Sequence, residues 1–122
     1  MEDNDLPVEK IKFLLMVQDM DRALAFYQDV FGLQADTRSE HWSEMSFGEA
    51  VLALHGGGGD EERNTGLSFQ VRDLESTCQQ VVEVGGSVIS EPASRPGEPI
   101  KLARLRDTEG NQFAVTQFVG RE

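Results

Sequence analysis

Two stretches, Val17–Leu33 (VQDMDRALAFYQDVFGL) and Val71–Gly86 (VRDLESTCQQVVEVGG), carry one pattern twice. Each begins where an apolar run ends and then places an aspartate ahead of helically spaced apolar residues. Asp19 and Asp73 are N-cap residues, whose short carboxylate can take an otherwise unpaired backbone N–H of the first turn. After Asp19, the residues Ala23, Tyr27, Val30 and Phe31 fall on one stripe, widened by Phe26. After Asp73 the stripe is Leu74, Cys78, Val81 and Val82. Gly32 and Gly85-Gly86 stand where left-handed C-terminal caps belong. Val17-Gln18-Asp19-Met20 aligns with Val71-Arg72-Asp73-Leu74 at an offset of 54 residues, and Gly32 aligns with Gly86 at the same offset.

Working outward, Ile11–Val17 is a compact apolar run of strand length, and the first helix is expected from Met20 to Phe31. Strands are then expected at Leu33–Thr37, His41–Phe47 and Ala50–His55, with Gly48-Glu49 as a tight hairpin turn. GGGGDEERN, residues 56–64, reads as a flexible acidic linker. The same order follows: strands at Leu67–Val71, Ser87–Ser90, Ile100–Leu105 and Gln112–Phe118. A proline-rich loop (EPASRPGEP, 91–99) and the turn DTEGN (107–111) lie between the later ones. The fold class is therefore α+β. Two tandem βαβββ modules (about 10–55 and 65–119) are expected within one domain, 1–122. Neither module could bury its sheet face alone, so pairing them is physically sensible.

Of 122 residues, 11 are Lys or Arg and 22 are Asp or Glu, a net charge of −11. That balance argues against a nucleic-acid backbone or an anionic membrane surface as partner. No apolar run nears the ~20 residues that span a bilayer. MEDNDLPVEK has no apolar h-region, so no secretory leader is expected. A single cysteine, Cys78, excludes an internal disulfide and suits a reducing, cytoplasmic location.

The two strand–helix segments, with RDTEGNQFAV near the end, resemble the vicinal oxygen chelate superfamily. That group contains glyoxalase I, bleomycin-resistance-type binding proteins, fosfomycin-modifying enzymes and extradiol dioxygenases. RDTEGNQFAV is similar to the family's Asp-Pro-Asp-Gly-Asn hairpin, with Thr108 in place of proline. The resemblance spans about residues 10–118 and implies that the two modules form a cupped mixed sheet with helices on its convex side. Metal-dependent members place His, Gln or Glu at four sites, on the first and last strand of each module. Matching the motifs puts Lys12, Ala53, Gly66 and Ala114 there. None of these side chains is an ordinary ligand for a divalent metal, so the resemblance implies a chain without the usual metal site.

Period-2 alternation then places Lys12, Leu14 and Met16 on the cupped face, opposite Phe13, Leu15 and Val17. Val51, Ala53 and His55 join them. A two-residue turn at Gly48-Glu49 pairs Phe47 with Ala50, Ser46 with Val51, Glu44 with Ala53 and Trp42 with His55. Ser68, Gln70, Gln112, Ala114 and Thr116 come from the second module. The cup face of Ile100–Leu105 is undecided, because the geometry of DTEGN sets its parity. The candidate ligand-binding set is Lys12, Leu14, Met16, Trp42, Glu44, Ala53, His55, Ser68, Gln70, Gln112 and Ala114. No catalytic residue and no cofactor are expected.

Trp42 suits a planar or cationic ligand; the blander alternative is packing at an interface. Lys12 needs a counter-charge, and Glu44 is its candidate. His55 is either a contact or a strand-end residue beside a loop. The expected function is metal-independent binding of an aromatic or cationic small molecule, as in the antibiotic-sequestering branch, and the resemblance implies a homodimer. The alternative is a lactoylglutathione-lyase-like or dioxygenase-like enzyme that gathers a divalent metal through displaced ligands such as His55 and Glu44. Elemental analysis separates the two.

Overall fold

The computed structural model describes residues 6–120. The elements run β1 (Lys12–Met16), α1 (Met20–Phe31), β2 (Gln34–Thr37), β3 (Trp42–Phe47), β4 (Ala50–His55), β5 (Arg63–Gln70), α2 (Leu74–Glu83), β6 (Ser87–Ser94), β7 (Ile100–Arg106) and β8 (Asn111–Phe118). The order is βαβββ twice, with each module completing its own four-stranded mixed sheet. The sheet orders are β1-β4-β3-β2 and β5-β8-β7-β6. β1 runs parallel to β4 and β5 to β8, and the other pairs are antiparallel.

The caps form as the aspartates imply. Asp19 accepts the N–H of Arg22 at 3.1 Å, and Asp73 accepts that of Ser76 at 3.1 Å. Gly32 is left-handed at φ 71°. In the second module the left-handed glycine is Gly85, at φ 102°, not the Gly86 that the 54-residue offset matches. Gly86 is needed for a different reason. A Cβ there would lie 2.5 Å from the Arg106 carbonyl oxygen and 2.7 Å from Val81 Cγ1.

Two strand boundaries differ from expectation by more than one residue. The linker stops short of Arg63, where β5 begins, and Arg63 and Asn64 already pair with Asn111 and Gln112. The proline-rich loop is strand as far as Ser94. Pro92 is tolerated because β6 is an edge strand and falls in an irregular stretch of its ladder, where a missing N–H costs little.

The helix-side faces of both sheets bury into one core. Leu15, Val17, Met45, Leu52 and Leu54 from the first module meet Phe26 and Tyr27 of α1 and Phe113 and Val115 of β8. Phe31 of α1 stacks on Phe69 of β5 at 3.8 Å between ring centroids. The first helix therefore packs on the second module's sheet, which is why neither half closes alone.

A buried polar lock joins the modules where the turn DTEGN meets the start of α1. Asp107, Glu109 and Asn111 are all buried. Asp107 accepts the N–H groups of Glu109 (2.7 Å) and Asn111 (2.9 Å), and so shapes the turn. Its second oxygen accepts the Tyr27 hydroxyl. Glu109 accepts the backbone N–H groups of Gln18 and Asp19 at 2.9 and 2.8 Å and the Arg22 Nε at 2.7 Å. Asn111 donates to the Met16 carbonyl oxygen at 2.9 Å. Burial works to raise the Glu109 carboxyl. The donors from Arg22, Asp19, Thr108 and Gln18 outweigh it and hold the group below its ordinary range. Burial, aided by the adjacent Asp107, pushes the Tyr27 phenol well above its ordinary range. No helix among the described residues is long and apolar enough to cross a membrane.

Candidate functional site

The first-module cup face follows the expected register. Phe47 pairs with Ala50, Ser46 with Val51, Glu44 with Ala53 and Trp42 with His55. Across the parallel edge, Lys12, Leu14 and Met16 stand beside Val51, Ala53 and His55. A compact charged knot spans this face. Lys12 Nζ donates to Glu44 Oε2 at 2.7 Å, Trp42 Nε1 donates to the same oxygen at 2.9 Å, and Lys10 Nζ reaches Oε1 at 3.4 Å. Lys12 also sits 5.6 Å from the Trp42 ring centroid, and His55 meets that ring edge-on at 5.9 Å. The hydrogen bond from Lys12, followed by that from Trp42, pulls the Glu44 carboxyl down to about 2. His55 Nδ1 lies 2.6 Å from the Gly56 carbonyl oxygen, which can only accept, so Nδ1 carries the proton.

The second-module cup face carries Ser68, Gln70, Gln112, Ala114 and Thr116. Ser68 pairs with Ala114 and Gln70 with Thr116. The undecided parity of β7 is now fixed. Leu102, Arg104 and Arg106 pair with Thr116, Ala114 and Gln112, so they share the cup face, while Ala103 and Leu105 are buried on the helix side. Arg104 Nη2 donates to Asn64 Oδ1 at 2.8 Å. Arg106 Nε lies 2.6 Å from Glu62 Oε2, and Gln112 donates to the other Glu62 oxygen at 2.5 Å. Sequence reasoning missed Arg104, Arg106, Asn64 and Glu62. One signal was present: both arginines of IKLARLR have the same parity. Glu62 is thus a second acid near the cup, at its second-module rim.

The structure groups these residues in three places. Lys12, Trp42, Glu44 and His55 form the first-module knot. Gln112 and Ala114 belong with the arginines of the second module. Ser68 and Gln70 open onto the gap between the modules. β1 and β5 are both edge strands, and an open groove of about 580 Å³ lies beside them. Phe13, Leu52, Leu67 and Phe69 line it from the helix faces, and Val51, Ser68 and Gln70 from the cup faces. A mostly apolar wall with a few polar groups is the common build of a small-molecule site. Leu14 is half exposed, whereas Ala53 is fully covered and can offer a ligand no surface. A second concavity, of about 980 Å³, opens at the start of α1 among charged residues and involves none of the candidate set.

The four positions where the family resemblance implies metal ligands carry no ordinary donor. The Lys12 ammonium has no lone pair to give and is engaged by Glu44. Ala53 and Ala114 have no donor atom. Gly66 has only open space where a side chain would begin. Among the described residues, no group of three or more His, Cys, Asp or Glu could hold a metal ion. The donor set does not fit a divalent cation.

With two βαβββ modules, facing cup strands and this residue layout, the comparisons agree on the class. Residues 11–115 match the Glyoxalase/Bleomycin resistance protein/Dioxygenase superfamily. The chain belongs to that superfamily. A probable lactoylglutathione lyase of Synechocystis sp. is 26% identical over 85% of this chain and 91% of its own length. A glyoxalase/bleomycin resistance protein/dioxygenase family enzyme from Burkholderia phytofirmans superposes with a TM-score of 0.74 at 19% identity, covering 88% of this chain and 96% of its own. The genomically encoded fosfomycin resistance protein of Listeria monocytogenes gives 0.75 at 14% identity, covering 92% and 94%.

Proposed function

We propose that this chain is a metal-independent small-molecule binding protein, holding an aromatic ligand along its cup and inter-module groove. One observation carries the reading. The superfamily layout is kept from β1 to β8, yet Lys12, Ala53, Gly66 and Ala114 supply no usable donor at the four positions where the family resemblance implies metal ligands. Enclosure, with no bond made or broken, needs only shape and a few oriented polar groups, and the groove supplies both. The geometry favours the aromatic half of the expectation over the cationic half. Lys12 already sits over the Trp42 ring, and Glu44 is neutralised by Lys12 and Lys10, so a ligand cation would have to displace the protein's own.

The alternative, a metal gathered by His55 and Glu44, has the opposite problem. Both Glu44 oxygens already accept hydrogen bonds, and two ligands fall short of the three that a catalytic centre usually provides. A homodimer is part of the proposal. β2 and β6 also stand at sheet edges, where a second chain could continue the ladder without filling the groove beside β1 and β5.

Trp42 is the single tryptophan, so its fluorescence reads this face alone. Titration with planar aromatic compounds, with chelator present, is expected to quench or shift it saturably. Elemental analysis of protein purified without chelator is expected to give metal far below one per chain. Stoichiometric metal that is lost in His55→Ala would overturn the reading in favour of the enzyme.

A further inference from the structure

The geometry points to a carboxylate-type oxyanion as the head group of the ligand, held by Arg104 on the second-module cup face. This deepens the binding function proposed above and rests on it. Arg104 projects from the middle of β7, and its guanidinium reaches over Ala114 to Asn64 on β5. Its one hydrogen bond to a side chain uses Nη2 and a neutral amide oxygen. No carboxylate lies within ion-pair distance of it among the described residues, although twice as many acids as bases are present in the chain. Arg22, Arg38, Arg63, Arg95 and Arg106 all have acidic partners, so among the described arginines Arg104 shares this state with Arg72 alone.

Little stands on the cup face around this arginine. Its β8 partner Ala114 has only a methyl group, and nothing lies within 4 Å of where a Cβ on Gly66 of β5 would stand. The small side chain of Ala114 leaves room for a planar group facing the guanidinium fork. Ser68 shares the row with Ala114 and Arg104, which adds a hydroxyl donor beside the apolar groove. A guanidinium offers five donors in a fixed plane, of which a carboxylate takes two side by side. The ligand class is therefore a small amphipathic acid: an aromatic body in the groove and a carboxylate over Ala114. Arg72 also lines the groove and is the competing cation.

Cinnamate, cinnamyl alcohol and cinnamylamine share one body and differ in charge. Each is titrated into labelled protein while the Arg104 Nε–H and the backbone amides of Ser68, Gln70 and Ala114 are followed by NMR. Cinnamate is expected to move all four and to bind more tightly than the alcohol or the amine. Arg104→Gln is expected to weaken cinnamate about tenfold or more, the usual worth of a charge-assisted pair, and to leave the alcohol unchanged. Arg104→Lys keeps the charge but not the fork and is expected to fall between. The wild-type Nε–H shift reads the contact directly, so the result does not depend on any variant folding. Equal affinity for cinnamate and the alcohol at the same amides would overturn the anion site and leave the binding function standing. A loss that follows Arg72→Gln in place of Arg104→Gln would also overturn it. If no compound of any charge moves a cup or groove amide, both readings fall.

Discussion

The two modules share one scaffold and treat corresponding positions in opposite ways. In the first, Lys12 and Glu44 close over the sheet beside Ala53, with Trp42 completing the knot, and every charge there is answered from within. In the second, Arg104 arches over Ala114 toward a neutral amide and keeps donors in reserve. The first cup face is self-satisfied and the second is not. Corresponding positions on one scaffold therefore need not carry one chemistry, and the side chains that stand there decide whether a face answers its own charges or keeps donors free.

The strongest way to break this comparison is to attack what holds the halves together. Glu109→Ala leaves two backbone N–H groups and the Arg22 guanidinium without their acceptor, and is expected to cost about 3 kcal/mol in urea unfolding. Glu44→Ala, on the open first-module face, is expected to barely move the same midpoint, since exposed ion pairs contribute little. Equal losses would mean that the cup knot, and not the buried lock, carries the fold.

A smaller effect separates two glycines of the second module. Gly86→Ala forces a methyl against the Arg106 carbonyl and is expected to cost about 1–3 kcal/mol. Gly66→Ala adds the same methyl into open space and is expected to stay within about 0.5 kcal/mol by thermal unfolding. A large loss at Gly66 would contradict the open space at that position.

The finest test is pH. A carboxyl whose folded pKa is depressed contributes stability that is present above its unfolded pKa and lost as pH falls through the folded one. Glu44 titrates at about 2, so the near-ultraviolet circular dichroism of Trp42 is expected to hold from neutrality to well below pH 4 and to change only on approach to 2. Glu109 is also held below its ordinary range, so the lock weakens on the acid side of that range and not above it. A Trp42 transition near pH 4.5 would mean that Glu44 is unpaired in solution.

Much of this architecture is legible in the residues. The helix Met20–Phe31 appears with its expected ends, because cap, stripe and terminal glycine are all local signals. The β3–β4 register appears residue for residue, because Gly48-Glu49 admits one tight turn. The parity of β7 was hidden. It depends on DTEGN being a five-residue turn, and that follows from Asp107 accepting two backbone N–H groups within it. The lock was hidden for a related reason. Asp107 and Glu109 look like solvated turn acids until Tyr27 and Arg22, 80 or more residues earlier, come into contact with them. Arg104 was missed with the parity, and the strand character of residues 91–94 was masked by Pro92.

The Glu109 carboxylate has a further consequence, in time and not in space. It closes the start of α1 through Gln18 and Asp19, at sequence separations of 91 and 90 residues. A ribosome releases the first module long before it releases that carboxylate. Through most of synthesis the leading half waits with its first helix unfinished and its aromatic face bare. Contacts that close so late favour slow, all-at-once folding over stepwise assembly. The nascent chain is thus most exposed to chaperones and proteases just before its last strand emerges.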